Sequence, residues 1–184
     1  MTSRANSTPH RPVSGNLHFR LMTWTFRARD IFRPPSRLLR EAGVGRGRTV
    51  LDFGCGPGSF SLAAARLVGK EGRVWAVDIH PLAVRMVERR ARRRGLTQLK
   101  AVFSDRETGL EAESVDVVLL YDVLHEIDDK PALLEEFHRL LRPGGLLSFH
   151  DHFLGGDEIS ELLGGGRMFR FLRRGRHTTT YKKI

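Results

Sequence analysis

The chain has 184 residues, 40% hydrophobic and 28% charged, with a formal net charge of +10, which is typical of one globular domain and excludes a disordered chain. No apolar run approaches the roughly 18 to 20 residues of a membrane span and no secretion signal opens the chain, so we expect a cytoplasmic protein without a transmembrane segment. The single cysteine, Cys55, excludes an intrachain disulfide and a multi-cysteine metal site.

The positive charge is concentrated at the two ends of the chain. Residues 1–48 carry a net +8 and residues 167–184 carry +7, which leaves −5 for the centre. Basic ends could attract an anionic small molecule, an acidic membrane surface or nucleic acid. An arginine-rich solvated surface is the simpler interpretation.

The N-terminal part is predicted to precede the main fold. Residues 1–15 lack a hydrophobic period, so we expect a flexible basic tail. Apolar residues recur at helical spacing over 17–32 until Pro34 and Pro35 end the run, and a second short helix is predicted over 36–42.

From residue 49 onward, buried-strand patterns alternate with helical ones, which predicts an α/β fold with a mostly parallel sheet covered on both faces. Helices fit between the strands; one runs from Pro81 to Gly95, and another begins near Asp129 and stops before Pro143. The strand runs are 49–53, 73–78, 99–104, 115–121 and 146–150. A short helix over 157–163 and an antiparallel hairpin of 168–173 with 177–183 complete the prediction.

A glycine-rich turn follows the first strand, where the sequence reads VLDFGCGPGSF. Gly54, Gly56 and Gly58 remove side chains that would keep a nucleotide-like ligand from the backbone. The dinucleotide fingerprint requires its third glycine where Ser59 stands, so the match to a nicotinamide-dependent oxidoreductase is incomplete and that function is only an alternative.

The ends of the first three strands carry acids, where open α/β sheets bind ligands. Asp52 could accept a hydrogen bond from a ligand ammonium, or simply cap the loop. Asp78, at the end of the second strand, suits a ribose diol. Asp105, which follows Ser104 after the third strand, could accept from an adenine amine or cap a helix.

Four motifs in order resemble the class I S-adenosylmethionine-dependent methyltransferases, of the small type related to ubiquinone/menaquinone-biosynthesis enzymes. They are VLDFGCGPGSF, VWAVDIHP, SVDVVLLYDVLHEI and LLRPGGLLSF, within residues 36–152. The resemblance implies a Rossmann-like three-layer sandwich whose seven-stranded sheet ends in an antiparallel hairpin. It also implies S-adenosyl-L-methionine as cofactor and an enzyme that transfers one-carbon groups.

The same resemblance assigns the cofactor residues. The three glycines would line the cofactor, Asp78 would bind the ribose, Ile79 would pack on adenine and Asp105 would contact its amine. Residues 16–47 would form N-terminal helices on the substrate side, and residues 48–184 the cofactor-binding domain. The full predicted cofactor set is Asp52, Gly54, Cys55, Gly56, Gly58, Asp78, Ile79, Ser104, Asp105, Tyr121 and Asp122.

Methyl transfer is an in-line displacement that needs alignment more than a dedicated catalytic group. A base is needed if the acceptor is a hydroxyl or an activated carbon, and the candidates are His125, His150, Asp151 and His152. The last three could instead bind a metal, but side chains alternate along an extended chain and cannot all face one way. We therefore assign no metal ligand.

The predicted function is methyl transfer to a small molecule, with an anionic acceptor among the alternatives. The end of the fourth strand, Tyr121-Asp122-Val123-Leu124, lacks the signature of methyltransferases that act on adenine or glutamine amino groups. An RNA-binding or RNA-modifying protein of the same fold stays an alternative because of the basic ends, although few aromatic residues there suit base stacking. The acceptor, the accepting atom and the oligomeric state stay open.

Overall fold

A computed structural model describes residues 34–105, 108–153, 161–163 and 167–184. The predicted basic tail and the helix predicted over 17–32 lie outside these residues, as does most of the helix predicted over 157–163. Among the helices that the structure describes, none has the length and apolar character needed to cross a membrane.

The fold is a seven-stranded sheet in the order β3-β2-β1-β4-β5-β7-β6. Its strands are β1 (Thr49–Phe53), β2 (Arg73–Asp78), β3 (Leu99–Phe103), β4 (Val115–Tyr121), β5 (Leu141–His150), β6 (Phe169–Arg174) and β7 (Thr179–Lys183). The first five strands pair in parallel, whereas β7 runs antiparallel to both β5 and β6. The predicted fold class and the terminal hairpin are therefore confirmed.

Besides the helical residues 161–163, four helices accompany the sheet in the part of the chain that the structure describes, and local sequence signals set their ends. They are α1 (Pro35–Glu41), α2 (Ser59–Val68), α3 (Pro81–Arg93) and α4 (Lys130–Leu140), with a 3-10 turn at Leu124–Glu126. Helix α3 begins with Pro81, and the His80 side chain accepts the Leu82 N–H. Helix α4 begins after Asp129, whose carboxylate caps the Ala132 N–H at 3.1 Å.

Two predictions about the connections are wrong. Strand β5 begins at Leu141, directly after α4, and not at residue 146. Its first residues, which include Gly144 and Gly145, form an irregularity, because the β4 partner changes from Val115 at Leu141 to Val117 at Leu146. Between β3 and β4, residues 104, 105 and 108–114 contain no helix, contrary to the expected alternation.

The core has two parts, one on each face of the sheet. One face packs against α4 and includes Phe53, Phe137 and Leu147, and the rings of Phe53 and Phe137 meet edge to face at 5.2 Å. The other face packs against α1, α2 and α3 through residues such as Leu39 and Val87. Because both faces are covered, the strands read as nearly continuous apolar runs.

Helix α1 is tied to the turn of the terminal hairpin through Glu41. The Glu41 carboxylate accepts from the backbone N–H groups of His177 and Thr178 and from the Thr178 hydroxyl, at 3.2 to 3.3 Å. Arg173 also donates to the Glu41 carbonyl at 2.7 Å. A side chain at Gly175 would collide with the Glu41 carboxylate, so glycine permits this close approach.

Candidate functional site

The carboxyl ends of β1 and β4 meet where the strand order reverses, since the chain builds outward from β1 to β3 and then returns to β4. Open α/β sheets bind ligands at this kind of topological switch point. The glycine loop leaves β1 at this point. A Cβ atom built on Gly54 would overlap the Val123 side chain, so the loops that follow β1 and β4 are packed in contact.

The glycine loop is held by hydrogen bonds to the end of β2. The N–H groups of Gly54 and Cys55 both donate to the Val77 carbonyl, at 2.9 and 3.0 Å. Gly56 and Gly58 have positive φ values of 51° and 87°, which favour glycine. A Cβ on Gly56 would meet no heavy atom within 4 Å, so the space beside its backbone is open to a ligand.

Asp78 connects the loop to the second strand. Its carboxylate accepts the Gly56 N–H at Oδ2 and the His80 N–H at Oδ1, both at 2.8 Å. An ionised carboxylate offers about four acceptor sites, so these two bonds leave capacity for ligand hydroxyls. Burial raises the pKa of Asp78, against the effect of its two backbone donors.

Asp52 is buried beneath the loop and accepts a hydrogen bond from the Ser61 hydroxyl of α2. Burial, with a smaller contribution from the nearby Asp78 charge, raises its pKa to about 6 against the effect of the Ser61 hydrogen bond. This contact joins the end of β1 to α2, and the predicted cofactor role of Asp52 stays a prediction. Cys55 is also buried, and burial raises the pKa of its thiol, so its environment disfavours the nucleophilic thiolate.

Apolar and polar groups share the rim at the ends of β2 and β3. Ile79 is 45% exposed although it is aliphatic, and Phe103, which is paired in register with Asp78, is 62% exposed. The Ser104 N–H donates to the Asp78 carbonyl at 3.2 Å, and Asp105 is exposed beside it. This rim offers both an apolar surface and hydrogen-bonding groups beside Asp78.

The four predicted base candidates fall into two clusters because side chains alternate after β5. Asp151 contacts His125, whereas His150 and His152 lie together, with their ring centroids 4.5 Å apart and nearly perpendicular. The alternation expected from the sequence therefore separates Asp151 from the two histidines that flank it.

His125 and Asp151 form the first cluster. The His125 Nδ1 atom lies 3.1 and 3.0 Å from the two carboxylate oxygens of Asp151, whose side chain is fully buried. The Phe153 N–H donates to the same carboxylate at 2.9 Å. Burial alone would raise the pKa of Asp151, but the His125 and Phe153 hydrogen bonds outweigh it and lower the pKa.

Asp122 joins His150 and His152 in the second cluster. Its Oδ1 atom lies 2.7 Å from His152 Nδ1 and accepts the His152 N–H at 3.0 Å. The Asp122 N–H donates to the His150 carbonyl at 2.8 Å, which fixes the ends of β4 and β5 together. Burial lowers the pKa of His150, which favours its neutral imidazole.

Tyr121, the other predicted residue on β4, lies in the core. Its hydroxyl is 2.8 Å from the Ser148 hydroxyl, and its ring meets Phe60 edge to face at 4.9 Å. Burial raises the pKa of this phenol far above its ordinary value. The contacts support packing of β4 against α2, and the predicted cofactor role of Tyr121 stays a prediction.

Three residues of this region were not predicted from the sequence. Ser61 binds Asp52, Val123 packs on Gly54, and Phe153 lies with its ring centroid 4.4 Å from that of His125 while 74% exposed. Only Phe153 had a usable signal, since an aromatic residue directly after the His150-Asp151-His152 run lies at the strand end.

A groove of about 640 Å³ lies elsewhere, between α3 and the edge strand β3. It is lined by residues such as Ala91, Leu96 and Lys100, and none of the predicted site residues borders it. This groove is therefore separate from the strand ends that carry the polar residues.

Comparison with known proteins gives consistent matches. A family model described as a methyltransferase domain matches residues 45–163. Demethylmenaquinone methyltransferase of Geobacillus stearothermophilus is 29% identical over 110 residues, which are 59% of this chain and 47% of that protein. Aklanonic acid methyltransferase DauC of Streptomyces sp. strain C5 is 35% identical over 123 residues, 65% of this chain and 56% of that protein.

The chain thus spans about half the length of these curated relatives. Among solved structures, a SAM-dependent methyltransferase from Aquifex aeolicus superposes with a TM-score of 0.70 at 26% identity. That superposition covers 82% of this chain and 89% of the other.

Proposed function

The chain belongs to the methyltransferase-domain family, as its motifs indicated, and from this premise we propose that it transfers a methyl group from S-adenosylmethionine to a small molecule. The observation that carries the proposal is the link between Gly56 and Asp78 at the switch point. It joins an open backbone surface to a carboxylate with spare acceptor capacity.

The donor would be held by the glycine loop and the ends of β2 and β3. Gly54, Gly56 and Gly58 would form its cradle, Asp78 would accept from the ribose hydroxyls, and Ile79 would pack on the adenine. Asp105 with Ser104 would contact the adenine amine. When bound, S-adenosylmethionine supplies an electrophilic methyl group on a sulfonium.

His125 would act as the base, with Asp151 as its positioning residue. Since Asp151 is buried and its pKa is lowered, it stays ionised and can accept a proton-bearing Nδ1 of His125. That arrangement leaves Nε2 to take a proton from an acceptor hydroxyl or activated carbon. Phe153, whose ring is tilted 46° against that of His125, would help to exclude water from one side of the imidazole.

The acceptor that we propose is a small organic molecule that is anionic or becomes so when it loses a proton. One relative is named for a quinone and another for an acid. The positive ends of the chain, with +8 and +7, would attract such an acceptor. The RNA-directed and nicotinamide-dependent alternatives find no support in the relatives reported above.

The test is calorimetric binding of S-adenosylmethionine and S-adenosylhomocysteine to the wild type and to Asp78→Asn. We expect the substitution to weaken binding about 10- to 100-fold, since hydrogen bonds to a charged group contribute about 1.5–3 kcal/mol. Asp116→Asn is the matched control, because Asp116 also accepts a backbone N–H, from Thr49 at 2.7 Å, but at the start of β1 and away from the glycine loop.

Equal affinity in wild type and Asp78→Asn, or no binding by the wild type, would refute the proposal. Once donor binding is established, the acceptor can be sought by incubating the protein with methyl-labelled donor and a metabolite extract and identifying the labelled product. Labelled RNA in a parallel incubation with total RNA would instead favour the RNA-directed alternative.

A further inference from the structure

We propose that Asp122, His150 and His152 form a binding site for one divalent transition-metal ion of the Zn²⁺, Fe²⁺ and Co²⁺ class. Each residue offers one donor atom, and the three atoms lie within 4.8 Å of one another. Donor atoms about 2.1 Å from a shared ion stand roughly 3–4 Å apart, so a small adjustment of side-chain torsions suffices. This site is separate from the His125–Asp151 pair.

The backbone holds the three residues in place before any ion binds. The Asp122 N–H donates to the His150 carbonyl and the His152 N–H donates to Asp122 Oδ1. Asp122 has a φ of 55°, and among the residues that the structure describes only Glu113 shares a positive φ without being glycine. The two hydrogen bonds place the Asp122 carboxylate, at the end of β4, beside the imidazoles of His150 and His152 at the end of β5.

The donor chemistry selects the class of ion. Two imidazoles and one carboxylate are ligands of Zn²⁺ and of non-heme Fe²⁺, whereas Mg²⁺ and Ca²⁺ prefer oxygen ligands alone. Three protein ligands leave coordination positions for water or a small oxygen donor. The His152 side chain is 53% exposed and that of Asp122 is 21% exposed, so an ion can enter from solvent.

The test is titration of the metal-free full chain with Zn²⁺ in a calorimeter and with Co²⁺ followed by visible absorption. No methyl donor is present, so the result is independent of the proposed transfer reaction. We expect one equivalent of tight binding that is weakened at least about tenfold in His150→Gln and in His152→Gln. The Co²⁺ absorption bands should be lost in the same two variants.

His138→Gln is the matched control, because His138 lies on α4 and contacts the Ile184 carbonyl at 3.0 Å. The chain has eight histidines, so this variant measures the contribution of a histidine outside the cluster. It should bind Zn²⁺ as the wild type does. Absence of stoichiometric binding, or binding that His150→Gln and His152→Gln leave unchanged, would overturn the proposal.

Asp122→Asn distinguishes ligand loss from misfolding. Asparagine tolerates a positive φ as aspartate does and keeps an oxygen acceptor for His152, so the fold should be retained. We expect weaker Zn²⁺ binding with an unchanged melting temperature of the metal-free protein. Unchanged Zn²⁺ affinity in this variant would exclude the carboxylate as a ligand and overturn the three-residue site.

Discussion

Gly54 and Val123 are in such close contact that a methyl group on Gly54 would overlap the Val123 side chain. The contact joins the loop after β1 to the loop after β4, the two segments that border the switch point of the sheet. The proposed cofactor-binding loop is therefore in contact with the loop that carries the proposed base, His125.

Gly54→Ala should disrupt the contact between these two loops. The alanine would meet both the steric overlap and the cost of a positive φ, 72°, which is about 1–2 kcal/mol for a residue with a side chain. Gly69→Ala is the matched control, because Gly69 has a φ of 71° and a Cβ there meets nothing within 4 Å. We expect Gly54→Ala to lose more unfolding free energy and to bind S-adenosylmethionine more weakly. Equal losses in the two variants would contradict the contact.

Asp151→Asn should change the tautomer of His125. The buried carboxylate favours a proton on His125 Nδ1, and an amide removes that preference. Long-range ¹H–¹⁵N spectra should show an Nδ1-protonated neutral imidazole in the wild type and a mixture or the opposite tautomer in the variant. The same tautomer in both proteins would contradict the positioning role.

His125→Gln should slow methyl transfer about 10²- to 10⁴-fold with little effect on the KM for the donor, because general base catalysis contributes that range. Steady-state rates on the labelled acceptor measure the loss. His138→Gln, remote on α4, should retain the wild-type rate.

Asp52 should make stability depend on pH between about 4 and 6. Its pKa is raised by burial from 3.8 to about 6, so the folded state favours the protonated carboxyl. Protonated Asp52 stabilises the folded state, relative to the ionised form, by about 3 kcal/mol. This stabilisation is complete below pH 3.8 and is lost as the pH rises through about 6. The unfolding free energy of Asp52→Asn, measured without ligand, should therefore increase relative to that of the wild type as the pH rises from about 4 to 6. A constant difference between pH 4 and 7 would refute the shift.

Glu41→Ala should detach α1 from the hairpin turn. The substitution leaves the His177 and Thr178 donors without their acceptor, and an unmet buried donor costs about 1–3 kcal/mol. Glu41→Gln keeps an oxygen acceptor and should lose less. Chemical denaturation measures both, with the exposed Glu71→Ala as control. A loss no larger than that of Glu71→Ala would show that the contact is not stabilising.

The sheet could be predicted from the sequence because a strand covered on both faces is a compact apolar run, as in β4. The hairpin could be predicted because a glycine-containing gap around Gly175 separates two β-like runs. The start of β5 was missed because Pro143 and the two following glycines look like a turn, whereas the irregular pairing with β4 accommodates them. Contacts across the strand ends, such as Gly54 with Val123 or Asp122 with His152, depend on tertiary placement that spacing along the chain does not encode.

The position of β7 between β5 and β6 also constrains the order in which the chain can fold during synthesis. In the sheet β6 pairs only with β7, although the ribosome makes β6 first. The nascent chain therefore carries β6 without a partner, and the free edge of β5 stays open until β7 emerges. Until Thr179–Lys183 has emerged and inserted between β5 and β6, the edge of β5 has no strand to pair with.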